Sequence, residues 1–345
     1  MTMERPDLSD AAPEIRAYIE ALEAEIQRLS EMRTRAVEPA LPEPTEPGEP
    51  PTTMNVITIS RTGVGKRTPR HLFPRQRRGG MGVFDLDTRE EEPPALLTIA
   101  DETQSLILFT EQGRTYRLPV GKLPESPVRA RGAAFADLIP LRPGERIVAA
   151  LPEEGGDNVA LVGERGWVTL IRRSFVGPNM IPGVVYHDAQ KRGPLAAACW
   201  ISGPGDLFIA TRQGLAIRFP SQRVPQSGCL GINLERGDAV VAVTGAGDES
   251  GVFLLSADGK GAIRQMQGFR SNKSPGGGGK VALKTDHLIG AVTVEENDDI
   301  FIISRLSKII RFQVIEVPPK EGVVQGVNCI ALRSDETVAL TVAHL

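Results

Sequence analysis

The sequence predicts an all-β fold: six repeated four-stranded units closed into a six-bladed β-propeller, preceded by a short helix and a linker. One observation is a pattern of apolar strand, turn residue and second strand that recurs six times, at intervals of 45 to 53 residues. The other is composition, since 36 Gly and 27 Pro accompany only 5% aromatics, which is typical of many short strands joined by tight turns. A single unit cannot cover both of its faces, so the repeats are expected to close into a ring.

The first element is a helix predicted over residues 12–35 and assigned to a segment 1–36. Its apolar residues are spaced 4, 3, 4 and 3 apart, as in a heptad repeat: Ile15, Ile19, Leu22, Ile26 and Leu29. Ile at a positions with Leu at d positions favours parallel dimers. Two interpretations remain open, namely self-association and an amphipathic helix that packs on its own or a partner's surface.

A Pro/Glu-rich linker is predicted over residues 37–52. The stretch VEPALPEPTEPGEPPTT is expected to be extended and stiff, without a packed core. A domain boundary is therefore expected near residue 53, with the propeller occupying residues 53–345.

The six blades are identified by their hairpins. These read VITISRTGVGKR, LILFTEQGRTYR, VALVGERGWVTL, LFIATRQGLAIR, VFLLSADGKGAIR and IFIISRLSKIIR, with turns at Gly63, Gly113, Gly166, Gly214, Gly259 and Ser307. A loop with small residues and a further apolar strand follow each hairpin. Each unit thus supplies about four strands, as a propeller blade requires.

The composition excludes several classes of protein. No apolar run reaches the 18 residues of a membrane span, and the N-terminus lacks the apolar core of a signal peptide. Cys199, Cys229 and Cys329 show no CxxC spacing and are interpreted as thiols in a reducing cytoplasm. The four histidines share no metal-ligand spacing. We expect no metal, no cofactor and no catalytic residue.

The net charge of −3 conceals a local basic stretch. Residues 1–52 hold 12 acidic and 5 basic side chains, whereas residues 61–80 hold seven basic side chains and no acid. A basic stripe on a nearly neutral domain is most often a footprint for nucleic acid. A solvated loop is the alternative interpretation. The seven basic residues are Arg61, Lys66, Arg67, Arg70, Arg75, Arg77 and Arg78.

The densest part of this stretch, QRRGGMG at residues 76–82, closely resembles the QRRGG-(Lys/Arg)-G box of DNA gyrase A. The hairpin repeat is similar to the blade motif of the C-terminal domain of gyrase A, as are VRARG, SNKSPGGGGK and SKIIRF. The resemblance covers about residues 53–345. It implies a β-pinwheel, in which neighbouring blades exchange strands, and a domain that binds duplex DNA and wraps it around its rim.

Carried over by residue, the resemblance implies a DNA-binding box of Gln76, Arg77, Arg78, Gly79, Gly80 and Gly82. Arg75, Lys66, Arg67 and Arg70 are expected to join it, with secondary DNA contacts from Arg129, Arg131, Lys273 and Lys280. Met81 departs from the pattern, because a basic residue usually stands there. The PGGGGK stretch at 275–280 is interpreted either as an anion nest or as a flexible loop.

The resemblance implies the DNA-handling part of gyrase A and no enzyme. A full-length gyrase A carries a catalytic tyrosine in a winged-helix domain, whereas the tyrosines here are Tyr18 in the helix and Tyr116 and Tyr186 in blades. The expected partners are double-stranded DNA and a gyrase or topoisomerase core, at the cytoplasmic nucleoid. The alternative hypothesis is a propeller scaffold for protein partners with a degenerate box. Salt-dependent DNA binding separates the two.

Overall fold

The computed structural model describes residues 12–35, 49–87 and 92–344, without the side chains of 27–35. The chain divides into two compact units, residues 1–46 and 47–345. In the first unit, helix α1 (Pro13–Arg35) confirms the predicted helix. Ile15, Leu22 and Ile26 are exposed along it. The Leu29 side chain and linker residues 37–48 lie outside the described residues.

The second unit is a six-bladed propeller, which confirms the predicted fold class. Its first part contains β1 (Met54–Ser60), β2 (Val64–Pro69), β3 (Val83–Phe84), β4 (Pro94–Asp101), β5 (Ser105–Thr110), β6 (Arg114–Pro119), β7 (Ala133–Ala134) and β8 (Ile147–Pro152). There follow β9 (Asn158–Gly163), β10 (Trp167–Arg172), β11 (Val184–Val185), α2 (Ala189–Arg192), β12 (Leu195–Ile201), β13 (Asp206–Thr211), β14 (Leu215–Pro220), β15 (Cys229–Leu230), β16 (Ile232–Asn233) and β17 (Val240–Ala246).

The last part of the propeller contains β18 (Gly251–Ser256), β19 (Lys260–Gln265), β20 (Gly277–Gly278), β21 (Lys280–Val281), β22 (Leu288–Val294), β23 (Asp299–Ser304), β24 (Lys308–Gln313), β25 (Pro319–Lys320), β26 (Val327–Asn328) and β27 (Thr337–Ala343). Short 3-10 turns follow the second strand of every hairpin, as at Arg70–Leu72 after β2. These turns lead the chain from its own blade towards the rim.

Each blade is built around one hairpin and completed by strands from elsewhere. The hairpins of blades 1 to 6 are β1–β2, β5–β6, β9–β10, β13–β14, β18–β19 and β23–β24. On the inner side of each hairpin lies a longer strand, in the order β4, β8, β12, β17, β22 and β27. These six strands pack side by side around a central cavity of about 900 Å³ lined largely by small apolar side chains.

The outermost strand of each blade comes from the following unit. β7 pairs with β2, β11 with β6, β15 with β10, β21 with β14, and β26 with β19. The ring closes in the same way, because β3, which follows the first hairpin, pairs with β24 of blade 6. This exchange of strands is the pinwheel arrangement that the resemblance implied.

The hydrophobic core is divided among the contacts between neighbouring blades. Six clusters of buried residues each join two adjacent blades. The cluster at the closure of the ring packs Val56 and Phe73 of blade 1 against Phe301, Ile303 and Ile309 of blade 6. Blade 1 and blade 6 therefore share an apolar interface as the other neighbours do.

Candidate nucleic-acid interface

The box occupies the segment that crosses from blade 1 to blade 6 and ends in β3. The amide of Gln76 donates to the carbonyl of Arg311 at 2.8 Å, and the amide of Gly79 donates to that of Cys329 at 2.8 Å. Val83 and Phe84 then pair with Ile309 and Lys308 of β24. Both ends of the box are thus hydrogen-bonded to the last blade, so the loop is held in one position.

The glycines of the box have two different roles. Gly82 has φ +67°, and a Cβ there would lie 2.7 Å from the carbonyl oxygen of Ile309, so only glycine fits this close approach. A glycine precedes the exchanged strand in all six units, at Gly82, Gly132, Gly183, Gly228, Gly279 and Gly326. Gly82 therefore belongs to strand exchange in general, whereas the left-handed Gly79 (φ +80°) has a counterpart only at Gly276 (φ +83°), three residues before Gly279.

The three arginines of the box segment lie in different surroundings. Arg75 Nε is 3.0 Å from Asp299 Oδ2. Arg78 Nε donates to the carbonyl of Glu316 at 2.8 Å, and its Nη1 donates to that of Asn328 at 3.2 Å. Arg77 is exposed, and its guanidinium makes no hydrogen bond or ion pair with the described part of the chain. The resemblance implies DNA contacts from both Arg77 and Arg78, but hydrogen bonds to the chain occupy the Arg78 guanidinium and hold the loop in place.

Gln76 also contributes to the shape of the loop. Its side-chain oxygen accepts a hydrogen bond from the Gly82 amide at 3.1 Å, while the Gly80 amide donates to the carbonyl of Arg77 at 3.1 Å. These two bonds fold the box back on itself. Met81 lies at the outer end of that fold with 54% of its surface exposed.

An ion network joins blade 1 to blade 6 beneath the box. The carboxylate of Glu49 accepts from Arg70 of blade 1, and it lies 2.7 Å from Arg311 Nη2 of blade 6. Arg311 also pairs with Asp299 at 2.6 Å. Burial alone would raise the pKa of Glu49, but the hydrogen bonds from the two arginines outweigh burial and hold that pKa below its ordinary 4.5. Glu49 precedes the predicted boundary at residue 53, yet it belongs to the propeller unit.

The structure removes Lys66, Arg67 and Arg70 from the exposed basic stripe. Lys66 is only 1% exposed; its Nζ lies 2.7 Å from Asp85 Oδ1, so it cannot reach a phosphate. Arg67 donates to the carbonyl of Leu123 and pairs with Glu125. Arg70 is 7% exposed and is occupied by Glu49. All three neutralise internal acceptors, since a buried cation must be paired.

Sequence reasoning missed that one basic position of the hairpin motif is a tie between blades. Arg67, Arg218 and Arg311 each stand four residues after the hairpin turn, and each donates to carbonyls of the next blade. Arg218 reaches the carbonyls of Met266 and Phe269 at 3.0 and 3.3 Å. The available signal was an acid shortly before the next hairpin, such as Asp248, which pairs with Arg218.

The secondary basic residues are exposed, as a surface contact requires. Arg129 lies over the Phe84 ring, 5.7 Å from its centroid, beside the strand that follows the box. The Arg131 side chain is 89% exposed, and its Nε lies 4.0 Å from Asp87 Oδ2. The carbonyl of Asp85 accepts from the Ala130 amide at 3.1 Å. The box strand and the VRARG segment therefore form one continuous basic edge.

Lys273 and Lys280 are exposed on the segment that crosses from blade 5 to blade 4. The glycines between them do not form an anion nest, because Gly277 and Gly278 form β20, which pairs in parallel with Ile232 and Asn233. The stretch is a crossing segment like the box. Within the described residues, no group of three or more His, Cys, Asp or Glu side chains could hold a metal, and no helix is long and apolar enough to cross a membrane.

Comparison with known proteins supports these observations. The family described as DNA gyrase C-terminal domain, beta-propeller, matches residues 55–92, 104–152 and 205–244. The A subunit of DNA gyrase from Lawsonia intracellularis is 30% identical over 292 residues, covering 80% of this chain and 36% of the relative. Its counterpart from Escherichia coli is 28% identical over 82% of this chain and 34% of the relative. The chain thus spans about a third of the length of these curated relatives.

Solved structures show the same fold. A DNA gyrase A C-terminal domain superposes with a TM-score of 0.72 at 19% identity, covering 83% of this chain and 98% of that one. The C-terminal domain of DNA topoisomerase IV superposes with a TM-score of 0.58 at 18% identity, covering 84% and 93%.

Proposed function

The propeller of this chain is similar to the C-terminal domain of DNA gyrase A, and from this premise we propose that it binds duplex DNA and wraps it around its rim. One observation carries the proposal. The exposed guanidinium of Arg77 has no partner among the described residues, while Arg75 and Arg78 on either side fix the loop to blade 6. A planar donor held in this way suits the bidentate recognition of a phosphate.

The other contacts are distributed around the rim. Arg129 and Arg131 extend the box edge, and Lys273 and Lys280 lie on the segment that crosses from blade 5 to blade 4. Contacts to phosphates position DNA without reading its sequence, so binding is largely independent of sequence. Several such contacts must offset a bending cost of about 1–6 kcal/mol for a site of 20–30 bp. Met81, in place of a basic residue, leaves one phosphate contact fewer at the box.

The chain itself does no chemistry in this proposal. It acts with a gyrase or topoisomerase core, whose strand passage it supplies with wrapped DNA at the nucleoid in the cytoplasm. Helix α1 joins two protomers through its exposed Ile15, Leu22 and Ile26, because these residues continue the heptad spacing. The acidic excess of residues 1–52 repels phosphate, so this segment serves assembly and takes no part in DNA binding.

A plasmid topology experiment tests the proposal. Relaxed plasmid is incubated with the chain and a nicking-closing enzyme, and the linking number is read after the protein is removed. Wrapping shifts the linking number in proportion to the protein added. Arg77→Ala should reduce the shift, whereas Arg61→Ala, which removes an exposed arginine from the hairpin turn of the same blade, should not.

The alternative, a propeller scaffold for protein partners, predicts the opposite result. If the plasmid keeps its relaxed linking number and no salt-dependent DNA affinity is measured, the chain does not wrap DNA. The propeller would then serve protein partners.

A further inference from the structure

The rim of the propeller carries a regular series of exposed tips. In each unit the residue just before the strand-exchange glycine points outward from the crossing segment. All six of these residues are exposed: Met81, Arg131, Pro182, Ser227, Gly278 and Gln325. The box is therefore one of six equivalent rim positions, and the chemistry of each tip can be compared with the others.

The tip of blade 3 is apolar. Ile181 is 76% exposed, the highest value among the large apolar side chains of the described residues, and Phe175 and Val185 beside it are 58% and 50% exposed. The loop is held by its backbone: the Gly183 amide donates to the carbonyl of Thr115 at 2.8 Å, and the Val184 amide donates to that of Ile181 at 3.1 Å. Pro182 further fixes the backbone after Ile181.

The crossing segment that carries this tip, residues 172–187, contains two arginines and no acidic side chain. Arg172 and Arg173 are exposed where β10 ends. Of the nearby acids, Glu153 is paired with Arg117 at 2.9 Å, and Glu145 lies 3.4 Å from Arg114. An apolar point flanked by exposed arginines complements a partner that has a negative backbone and an apolar interior. Duplex DNA has both, since its bases stack between two rows of phosphates.

We propose that Ile181 is a wedge that inserts between two stacked base pairs of the wrapped DNA, with Arg172 and Arg173 on the flanking phosphates. Apolar side chains that insert between base steps kink the duplex and so assist bending around a protein surface. The inference rests on the proposed function, because it needs DNA on the rim. It adds a bend localised at blade 3 to the smooth curvature that phosphate contacts give.

The test compares two duplexes that differ only in a central mismatch. Unstacking is easiest at a mismatched pair, so a wedge makes the full-length protein bind the mismatched duplex more tightly. We expect a ratio of about tenfold, which corresponds to about 1.4 kcal/mol. Ile181→Ser should bring the ratio to about one, while Ile181→Met, which keeps an apolar point, should retain most of it. Val185→Ser, at an exposed apolar residue of the same segment, is the matched control and should keep the ratio.

Each of the other possible results would overturn the wedge, the wrapping proposal or both. A parent ratio of one, or an Ile181→Ser ratio equal to the parent's, overturns the wedge and leaves the wrapping proposal intact. Absence of binding to either duplex overturns both. If Ile181→Ser leaves DNA affinity and ratio unchanged but abolishes association with a purified gyrase core, the tip is a protein-docking point and the wedge is wrong.

Discussion

At the scale of single residues, the basic stretch shows how one side-chain type takes opposite roles within a few positions. Arg70 is buried against Glu49, Arg75 pairs with Asp299, and Arg78 donates to the carbonyls of Glu316 and Asn328. Arg77 alone of these four leaves its guanidinium unpaired within the described residues. Fewer arginines of the box are therefore available to a ligand than the sequence suggests, but Arg77 is held on a fixed loop.

This difference between Arg77 and Arg78 can be measured. Arg77→Ala should leave the free energy of unfolding unchanged and flatten the plot of log DNA affinity against log salt by about 0.9, since one phosphate contact is lost. Arg78→Ala should instead lower the free energy of unfolding by about 1–3 kcal/mol, because hydrogen bonds from a charged donor are lost. Denaturant unfolding and salt titration of both variants check this. An equal change of slope in Arg77→Ala and Arg61→Ala would contradict it.

At the scale of elements, the exchanged strands join the ring although each is only two residues long. Each is introduced by a glycine, and at Gly82, Gly132, Gly228 and Gly326 a Cβ would lie within 3 Å of a backbone oxygen of the neighbouring blade. The closure of the ring has two further supports, the apolar cluster around Phe73 and Phe301 and the ion network around Glu49. Blade 6 is consequently held to blade 1 by backbone hydrogen bonds, apolar packing and ion pairs.

The strand-exchange glycine at the box is expected to be irreplaceable. Gly82→Ala should destabilise the propeller by about 2 kcal/mol or more, because it combines a left-handed backbone, which costs about 1–2 kcal/mol, with a Cβ 2.7 Å from a carbonyl oxygen. Gly278→Ala is the matched control, since no atom lies within 4 Å of its Cβ position. Thermal unfolding of the two variants tests this difference in stability. Equal stability of both would show that the close approach relaxes without cost.

The ion network predicts a pH dependence of stability. The pKa of Glu49 is lower in the folded state than its ordinary 4.5. Between these two pKa values the unfolded state binds more protons, so the free energy of unfolding rises with pH. The stabilisation of the fold by the Glu49 carboxylate is present above pH 4.5 and is lost as the pH falls through the folded-state pKa. Glu49→Gln should cost about 1–3 kcal/mol at pH 7, because Arg70 and Arg311 lose a charged hydrogen-bond acceptor. The difference from the parent should shrink on acidification; a difference independent of pH would contradict the assignment.

The hairpins and their number could be predicted from the sequence, because each blade repeats a long apolar strand, a turn and a second strand. The destination of the exchanged strands could not, since two residues such as Val83 and Phe84 carry no periodic signal. Nor could the different roles of Arg77 and Arg78, because the two are adjacent in sequence and differ in whether backbone carbonyls face the guanidinium. Glu49 was hidden for a related reason: it lies among several similar Glu and Pro residues.

At the scale of the whole molecule, the acidic first segment and the propeller are separate units with different chemistry. The exposed apolar side chains of α1 follow a heptad spacing, whereas the basic side chains proposed to contact DNA all belong to the propeller. Assembly and DNA binding are therefore expected to be separable by mutation.

Deletion of residues 1–36 should halve the mass measured by light scattering and leave the DNA affinity per protomer unchanged. Ile15→Lys combined with Leu22→Lys should act like the deletion, because two charges enter the proposed dimer contact. Ala17→Lys, at an exposed position off the heptad spacing, should keep the parent's mass. An unchanged mass after deletion would refute the dimer, and a large loss of affinity per protomer would show that the segment contacts DNA.

Because β3 closes the ring by pairing with blade 6, the box can dock only late in translation. The box is made early, but Arg75 meets Asp299 only 224 residues later, and Arg78 meets Asn328 after 250. At about 5–20 residues per second, the box waits roughly 10–50 s for its partners. During synthesis it is an unpaired, basic, glycine-rich segment, and a chain that stops before blade 6 never gives it a place to dock. Only a chain that includes blade 6 can hold Arg77 on a fixed loop, so the box takes up its folded geometry only after the last blade has been synthesised.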